Sequence, residues 1–385
     1  MPVSQTLRRL VEGASRRLAV PSSGRWLAER SPGRWLGERP ASRSRGDRGA
    51  VAITVALLLG SGVLLGMAAL VVDVGNLYAE RTQLQSGADG AALRVAQECA
   101  SAAGDCSAAN RRDLAAGLAR DNAADGAAAA QVCGRFEGDS VDCPAPTGGV
   151  PDCVGPAPDA GDYAEVHTGT ETADGRTVLP PVFAQAVLSG FNGAHVTACS
   201  RVGWGAPATA TGLAMTLSAC DWRTLTNDGR RYPSTEGAIP LYDPDAPDAC
   251  GAAAGTRGGF RWLAPTGADC RTTLSAGDAV GTDATLAGGC ARALADLRDS
   301  GRPVAVPVIG AVTGAGSAAR YEVRGFAAFV VTGWQLPGDD EPPAGAAPCA
   351  TAGNCVYGHL VRDLVPGGGA LGGPDLGARI VQPIG

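Results

Sequence analysis

Twenty-three consecutive residues, Ala50–Val72, carry no ionisable side chain, and this run constrains the chain more than any other feature. Thr54 and Ser61 are its only polar side chains. As a helix at ~1.5 Å per residue it is roughly 34 Å long, which matches a bilayer core. Uncharged runs of this length are rare in soluble domains, so the sequence predicts a membrane span rather than a buried core helix. A cleaved signal peptide is the alternative. Its apolar region is shorter, roughly 7–15 residues, yet Gly66 and Ala68 would suit a small-residue cleavage site. Gly62 and Gly66 form a G-x-x-x-G pair, a spacing that lets a second helix approach closely.

Charge is distributed unevenly about this run. Residues 1–48 hold eleven arginines against Glu12, Glu29, Glu38 and Asp47, a net +7. Subtracting this from the overall −6 leaves −13 for Asp73–Gly385. The positive-inside bias therefore puts residues 1–48 in the cytoplasm and the acidic body outside, at a cell membrane crossed once. An acidic body argues against nucleic acid as a partner. All 32 basic residues are arginine, which excludes a Walker-type phosphate loop, a Schiff-base lysine and a serine–lysine dyad. The head repeats itself, Gly24-Arg25-Trp26-Leu27-Ala28-Glu29-Arg30 and then Gly33-Arg34-Trp35-Leu36-Gly37-Glu38-Arg39. It reads as a disordered arm with weak contact to an anionic inner leaflet.

Beyond Val72 the helical pattern continues. Val74, Leu77, Arg81, Leu84, Ala88, Ala91 and Val95 recur at alternating three- and four-residue spacing, a seam of period 3.5. One long helix is expected, its apolar half in the membrane and its amphipathic half outside, ending near Cys99. The seam packs either on the chain's own domain or sideways on other membrane-anchored helices.

These residues also carry a resemblance. Arg48-Gly49-Ala50-Val51-Ala52 leads into the span. Val72-Asp73-Val74-Gly75-Asn76-Leu77-Tyr78-Ala79-Glu80-Arg81-Thr82-Gln83-Leu84-Gln85 follows it, and then Ala88-Asp89-Gly90-Ala91-Ala92-Leu93. Over about residues 48–96 the chain resembles the TadE/TadG-like family of the tight-adherence (Flp-type) pilus-assembly system. The resemblance implies a membrane-anchored accessory component of pilus assembly or secretion, non-catalytic. The partners it implies are the membrane, other pilus-assembly membrane proteins or pilin-like helices, and further copies of the chain. Two family features are missing. Pilin-like members carry glutamate five residues after the cleaved glycine, and after Gly49 that place is Thr54. The D-x-S-x-S metal string of von Willebrand A domains does not occur.

All twelve cysteines lie beyond the span, an even number with none on the cytoplasmic side. They read as disulfides in an oxidising compartment. Local closure favours Cys99–Cys106 and Cys349–Cys355; the other eight cannot be paired from sequence. The expected fold class is α+β, a single transmembrane helix running into an amphipathic helix and then a disulfide-rich, β-containing extracytoplasmic domain. Residues 1–48 would be the arm, 49–72 the span and 73–122 the amphipathic helical region. Residues 123–210 would be a Cys-rich segment with short strands, irregular over Ala123–Pro158, with a short apolar helix at Pro181–Leu188. A second α+β unit is expected over 211–365 and a loose tail over 366–385. Within that unit Cys290–Ser300 reads as a helix, and Val304–Ile309, Tyr321–Thr332 and Cys355–Val361 as strands, the first two a hairpin.

No catalytic residue, cofactor or metal is expected. His167, His195 and His359 sit singly in strand-like runs, and neither H-E-x-x-H nor G-x-S-x-G occurs. Asp243, Asp245 and Asp248 invite a calcium reading. Counted from Asp243, however, the sixth and twelfth places are Asp248 and Ala254 rather than the glycine and glutamate of an EF-hand loop. Trp204, Trp222, Trp262 and Trp334 read as buried aromatics. A surface binding or adhesion module on the same anchor is the alternative function, and a secreted hydrolase the third.

Overall fold

The computed structural model describes residues 48–60, 62–143, 155–158, 161–186, 190–240, 259–266, 269–282, 290–314, 318–349 and 354–384. The rest of the N-terminal arm, the aspartates at 243–248, Cys153 and Cys250 lie outside the described residues. The chain divides into two units, Met1–Ser61 and Gly62–Gly385.

The described part of the first unit is α1 (Arg48–Gly60). The second opens with α2 (Val63–Ala100), preceded by Gly62 at φ 75°. One uninterrupted helix from the charge-free run to Cys99 is therefore not what the structure holds. Left-handed backbone costs an L-residue about 1–2 kcal/mol and glycine almost nothing, so Gly62 is where the chain can leave the helix. Among the described residues no helix is long and apolar enough to cross a membrane.

The body is mixed helix and sheet, α+β. Its first sheet begins with β1 (Ala128–Phe136) and β2 (Asp139–Val141), followed by β3 (Asp162–Thr170) and β4 (Thr197–Gly205). It is closed by β15 (Asp363–Leu364) and β16 (Ala378–Pro383), in the order β15-β16-β4-β3-β1-β2. α2 lies on β3 and β4, with α3 (Ala108–Asn122) beside it. Ser107 caps α3 by accepting the Asn110 N–H at 3.3 Å. Trp204 and Phe136 meet beneath the helices at 5.8 Å.

Three expectations are corrected here. The stretch read as irregular contains β1, whose alanine-rich sequence has little strand propensity of its own. Eight-residue pairing with β3, from Ala128↔Thr170 to Arg135↔Tyr163, makes it a strand. The stretch read as a loose tail ends in β16, which pairs antiparallel with β4 and buries Ala378 and Ile380. Its alternation is short and hidden behind glycine and proline. In place of a helix at Pro181–Leu188 the described residues hold one 3₁₀ turn, Ala184–Ala186.

The second sheet contains β6 (Met215–Ser218), β7 (Gly237–Pro240), β8 (Phe260–Trp262), β11 (Val304–Thr313), β12 (Arg320–Leu336) and β14 (Cys355–Val361). Its order is β7-β14-β12-β11-β6-β8, with β10 (Ala279–Val280) and β13 (Asp339–Glu341) also on β12. β5 (Thr209–Leu213) and β9 (Arg271–Ser275) pair separately. Helices α4 (Ala219–Thr226) and α5 (Cys290–Ser300) complete this half. β11 and β12 form an antiparallel hairpin whose turn opens at Gly314, φ 77°. Trp222, Trp262 and Trp334 are buried with Phe260, Leu294 and Phe329. Ala305, Val323 and Phe326 of the second sheet pack with Val365, Ala378 and Ile380. The two halves thus share core, and residue 210 does not separate compact units.

Candidate functional site on the long helix

α2 has two unlike stretches. From Leu84 onward one face is sealed against the body: Leu84, Ala88, Ala91 and Val95 are buried, Leu84 to 1%. Leu84 sits among Ala119, Ala128 and Ala198. A methyl group added at Gly87 would lie 3.1 Å from the Ala119 Cα, so glycine lets α2 and α3 close together. Two polar ties fix the register. Thr168 Oγ1 donates to the Leu84 carbonyl at 2.9 Å, and Gln85 Nε2 donates to the Cys199 carbonyl at 2.8 Å. The seam therefore packs on the chain's own domain from Leu84 to Val95. Its other members, Val74 and Arg81, are exposed, and Leu77 is half-buried.

Before Leu84 the helix stands largely uncovered. Met67, Leu70, Val71, Val74 and Tyr78 are exposed, Tyr78 to 74%. Val71, Gly75 and Tyr78 follow three- and four-residue steps on the side opposite Asp73 and Leu84. A Cβ at Gly75 or at Gly66 would meet nothing within 4 Å. Gly62 stands at the N-cap of α2 with left-handed backbone, and its carbonyl accepts the Gly66 N–H at 2.7 Å.

Asp73, the first charge after the apolar run, is 7% exposed. Its carboxylate accepts the Val182 N–H at 2.7 Å, the Phe183 N–H at 3.1 and 3.2 Å, and the Ala184 N–H. Those are the amides that lead into the 3₁₀ turn, so Asp73 caps it from another element. The sequence offered one signal for this clamp, a carboxylate directly after an uncharged run, and gave no hint of its partner.

The second buried charge is an ion pair across β3 and β4. Glu165 and Arg201 are register partners, and Arg201 Nε donates to Glu165 at 2.6 Å. Arg201 also donates to the carbonyls of Pro156 at 2.8 Å and Gly155 at 3.2 Å. His167 Nε2 lies 2.6 Å from the other Glu165 oxygen. Burial pushes the Glu165 carboxyl up, but hydrogen bonds and charge from His167 and Arg201 outweigh it and hold the group below the usual carboxylate range. Cys133 and Cys143 come close enough to Glu165 and His167 for one ion to be shared. The two sulfurs are joined as a disulfide and the carboxylate is engaged by Arg201, so the set is structural.

Cys99–Cys106 joins the end of α2 to the start of α3, Cys270–Cys290 joins β9 to α5, and Cys349–Cys355 closes a loop onto β14. Cys199 and Cys220 are disulfide-bonded, and no described cysteine is free. His195 Nδ1 meets the Thr177 carbonyl at 2.6 Å, and His359 Nδ1 is buried without a hydrogen-bond partner. A cleft of about 540 Å³ beside α5 is lined by Arg271, Arg292 and Arg302 with Asp269 and Asp296. No histidine faces it.

The geometry thus gathers its unusual features on α2: an uncovered apolar stretch, a clamp at its end and a sealed seam beyond. Residues 49–98 match the TadE/G-like Flp pilus-assembly family. The matched stretch is α1 from its second residue and α2 almost to its end, and it includes Asp73, Gly75 and Leu84. No curated protein and no solved structure matches the chain. The match is confined to this helical stretch and ends before the first strand.

Proposed function

We propose that this is a non-catalytic accessory component of Flp/Tad-type pilus assembly or secretion, held in the cell membrane by its apolar segment. The arginine-rich N-terminus lies in the cytoplasm and the disulfide-bonded body outside. The observation that carries the reading is the abrupt change of burial along α2. Met67, Leu70, Val71 and Val72 before Asp73 stand bare, while Leu84, Ala88, Ala91 and Val95 are sealed. Exposed valine, leucine and methionine over several turns need a cover, and a bilayer with neighbouring helices supplies one. Val71, Gly75 and Tyr78 form the stripe for a pilus-assembly membrane protein or pilin-like helix. The matched family supports that class of partner. His167 is held by Glu165 and His195 by a backbone carbonyl, partners that suit a structural role.

The test is protease added to intact cells, followed by alkaline extraction. The reading expects the body to be digested and a short fragment with the native N-terminus to stay with the membrane. Deleting the gene should abolish pilus output. A mature chain beginning near Ala69, or a body released by alkali, would refute the anchor.

A further inference from the structure

Pro180-Pro181-Val182-Phe183 precedes the 3₁₀ turn and lies against α2 at the level of Asp73. Val182 and Phe183 are 58% and 47% exposed, although they are the bulkiest apolar residues of the segment. Their exposure is enforced. Asp73 takes the amides of Val182, Phe183 and Ala184, which fixes the backbone and turns both side chains outward. Two prolines contribute no N–H at all. From Pro180 to Ala184 every backbone donor is therefore absent or satisfied. A segment entering the acyl region must meet this condition, because an unpaired N–H has no water there to bond. A water-exposed loop has no such need.

We infer that Val182 and Phe183 form a second contact with the bilayer, a wedge entering the interfacial region beside the anchor, with Asp73 as the clamp that positions it. The inference rests on the membrane-anchor reading above, since it places the bilayer surface where the charge-free run ends. Lipid, rather than a partner protein, is the occupant because Asp73 and the segment it holds stand directly after the charge-free run, at the level the anchor gives the bilayer surface. The wedge adds what one helix cannot: two contacts beside each other fix the tilt of the body over the membrane.

The test uses the full chain in vesicles of phosphatidylcholine and phosphatidylglycerol doped with a clickable phosphatidylcholine. Photoreactive benzoylphenylalanine is placed in turn at Phe183, at Val71 and at Val312, an exposed residue of β11. The wedge predicts lipid adducts at 183 about tenfold above those at 312, with 71 also labelled, as expected for interfacial insertion. Asp73→Ala should lower labelling at 183 several-fold and leave 71 unchanged. Strong labelling at 71 with none above background at 183 would overturn the wedge and spare the anchor. Absence at both positions would remove the anchor as well. Adducts at 183 to protein instead of lipid, or labelling at 183 that ignores Asp73→Ala, would also overturn the proposal.

Discussion

Replacing Leu84 with alanine tests whether α2 belongs to the body or to a partner. The Leu84 side chain is enclosed by Ala119 of α3, Ala128 of β1 and Ala198 of β4. These three end at their Cβ, and of the cluster only Val196 has a longer side chain to swing into the space left behind. Large-to-small core substitutions cost about 2–5 kcal/mol, and the upper part of that range applies where the site cannot collapse. A loss of about 4 kcal/mol is expected. At about 2 °C per kcal/mol, suited to a large domain, that lowers Tm by roughly 8 °C. The assay is thermal unfolding of the detergent-extracted chain with disulfides intact, followed by near-ultraviolet circular dichroism on the buried tryptophans. Leu84→Met keeps the volume and should cost less than about 1.5 kcal/mol. Tyr78→Ala, on the exposed side, should leave Tm unchanged and reduce co-purifying partners. A Leu84→Ala protein that melts like the wild type while losing its partners would refute this reasoning and return Leu84 to an intermolecular seam.

Glu165→Gln leaves the buried Arg201 without a counter-charge and should destabilise the body by about 3–5 kcal/mol, read from denaturant unfolding. The Glu165 carboxyl titrates below its ordinary range in the folded body. Its contribution is therefore present above the unfolded carboxylate pKa of about 4.3 and fades as pH falls through the folded value, so the Tm of the wild type should drop there more steeply than that of the variant. Asp73→Ala should expose the bonds around Val182–Ala184 to limited proteolysis while near-ultraviolet dichroism stays unchanged. Cysteine pair 270–290 spans twenty residues, so removing it should cost about 3 kcal/mol, and mass spectrometry without reductant should find no free thiol at the described cysteines.

Much of this architecture is written in local pattern. The helix Cys290–Ser300 and the strand Cys355–Val361 follow from periodicity and turn residues, and the structure has them at the same limits. What could not be read depends on distant partners. β1 exists because β3 offers it a register, and β16 because β4 has an open edge. The uncovered and sealed stretches of α2 share one period, so spacing alone could not say where packing begins. The Asp73 clamp joins residues more than a hundred positions apart, which no spacing rule reaches. Glu165 and Arg201 stand in strands without any sign of charge pairing, and only the β3–β4 register brings them together.

The pairing of β16 with β4 has a consequence for how the body matures. The strand that completes the first sheet, Ala378–Pro383, is synthesised after the whole second sheet. A body folding as it is synthesised would have α2 and β1 to β4 in place early, with the β4 edge unfilled. Only when residue 383 has emerged can the edge be closed and Ala378 and Ile380 seal the core shared by the two sheets. Closure of that edge therefore waits for residue 383, and until then an open strand edge is available to chaperones or to misassembly.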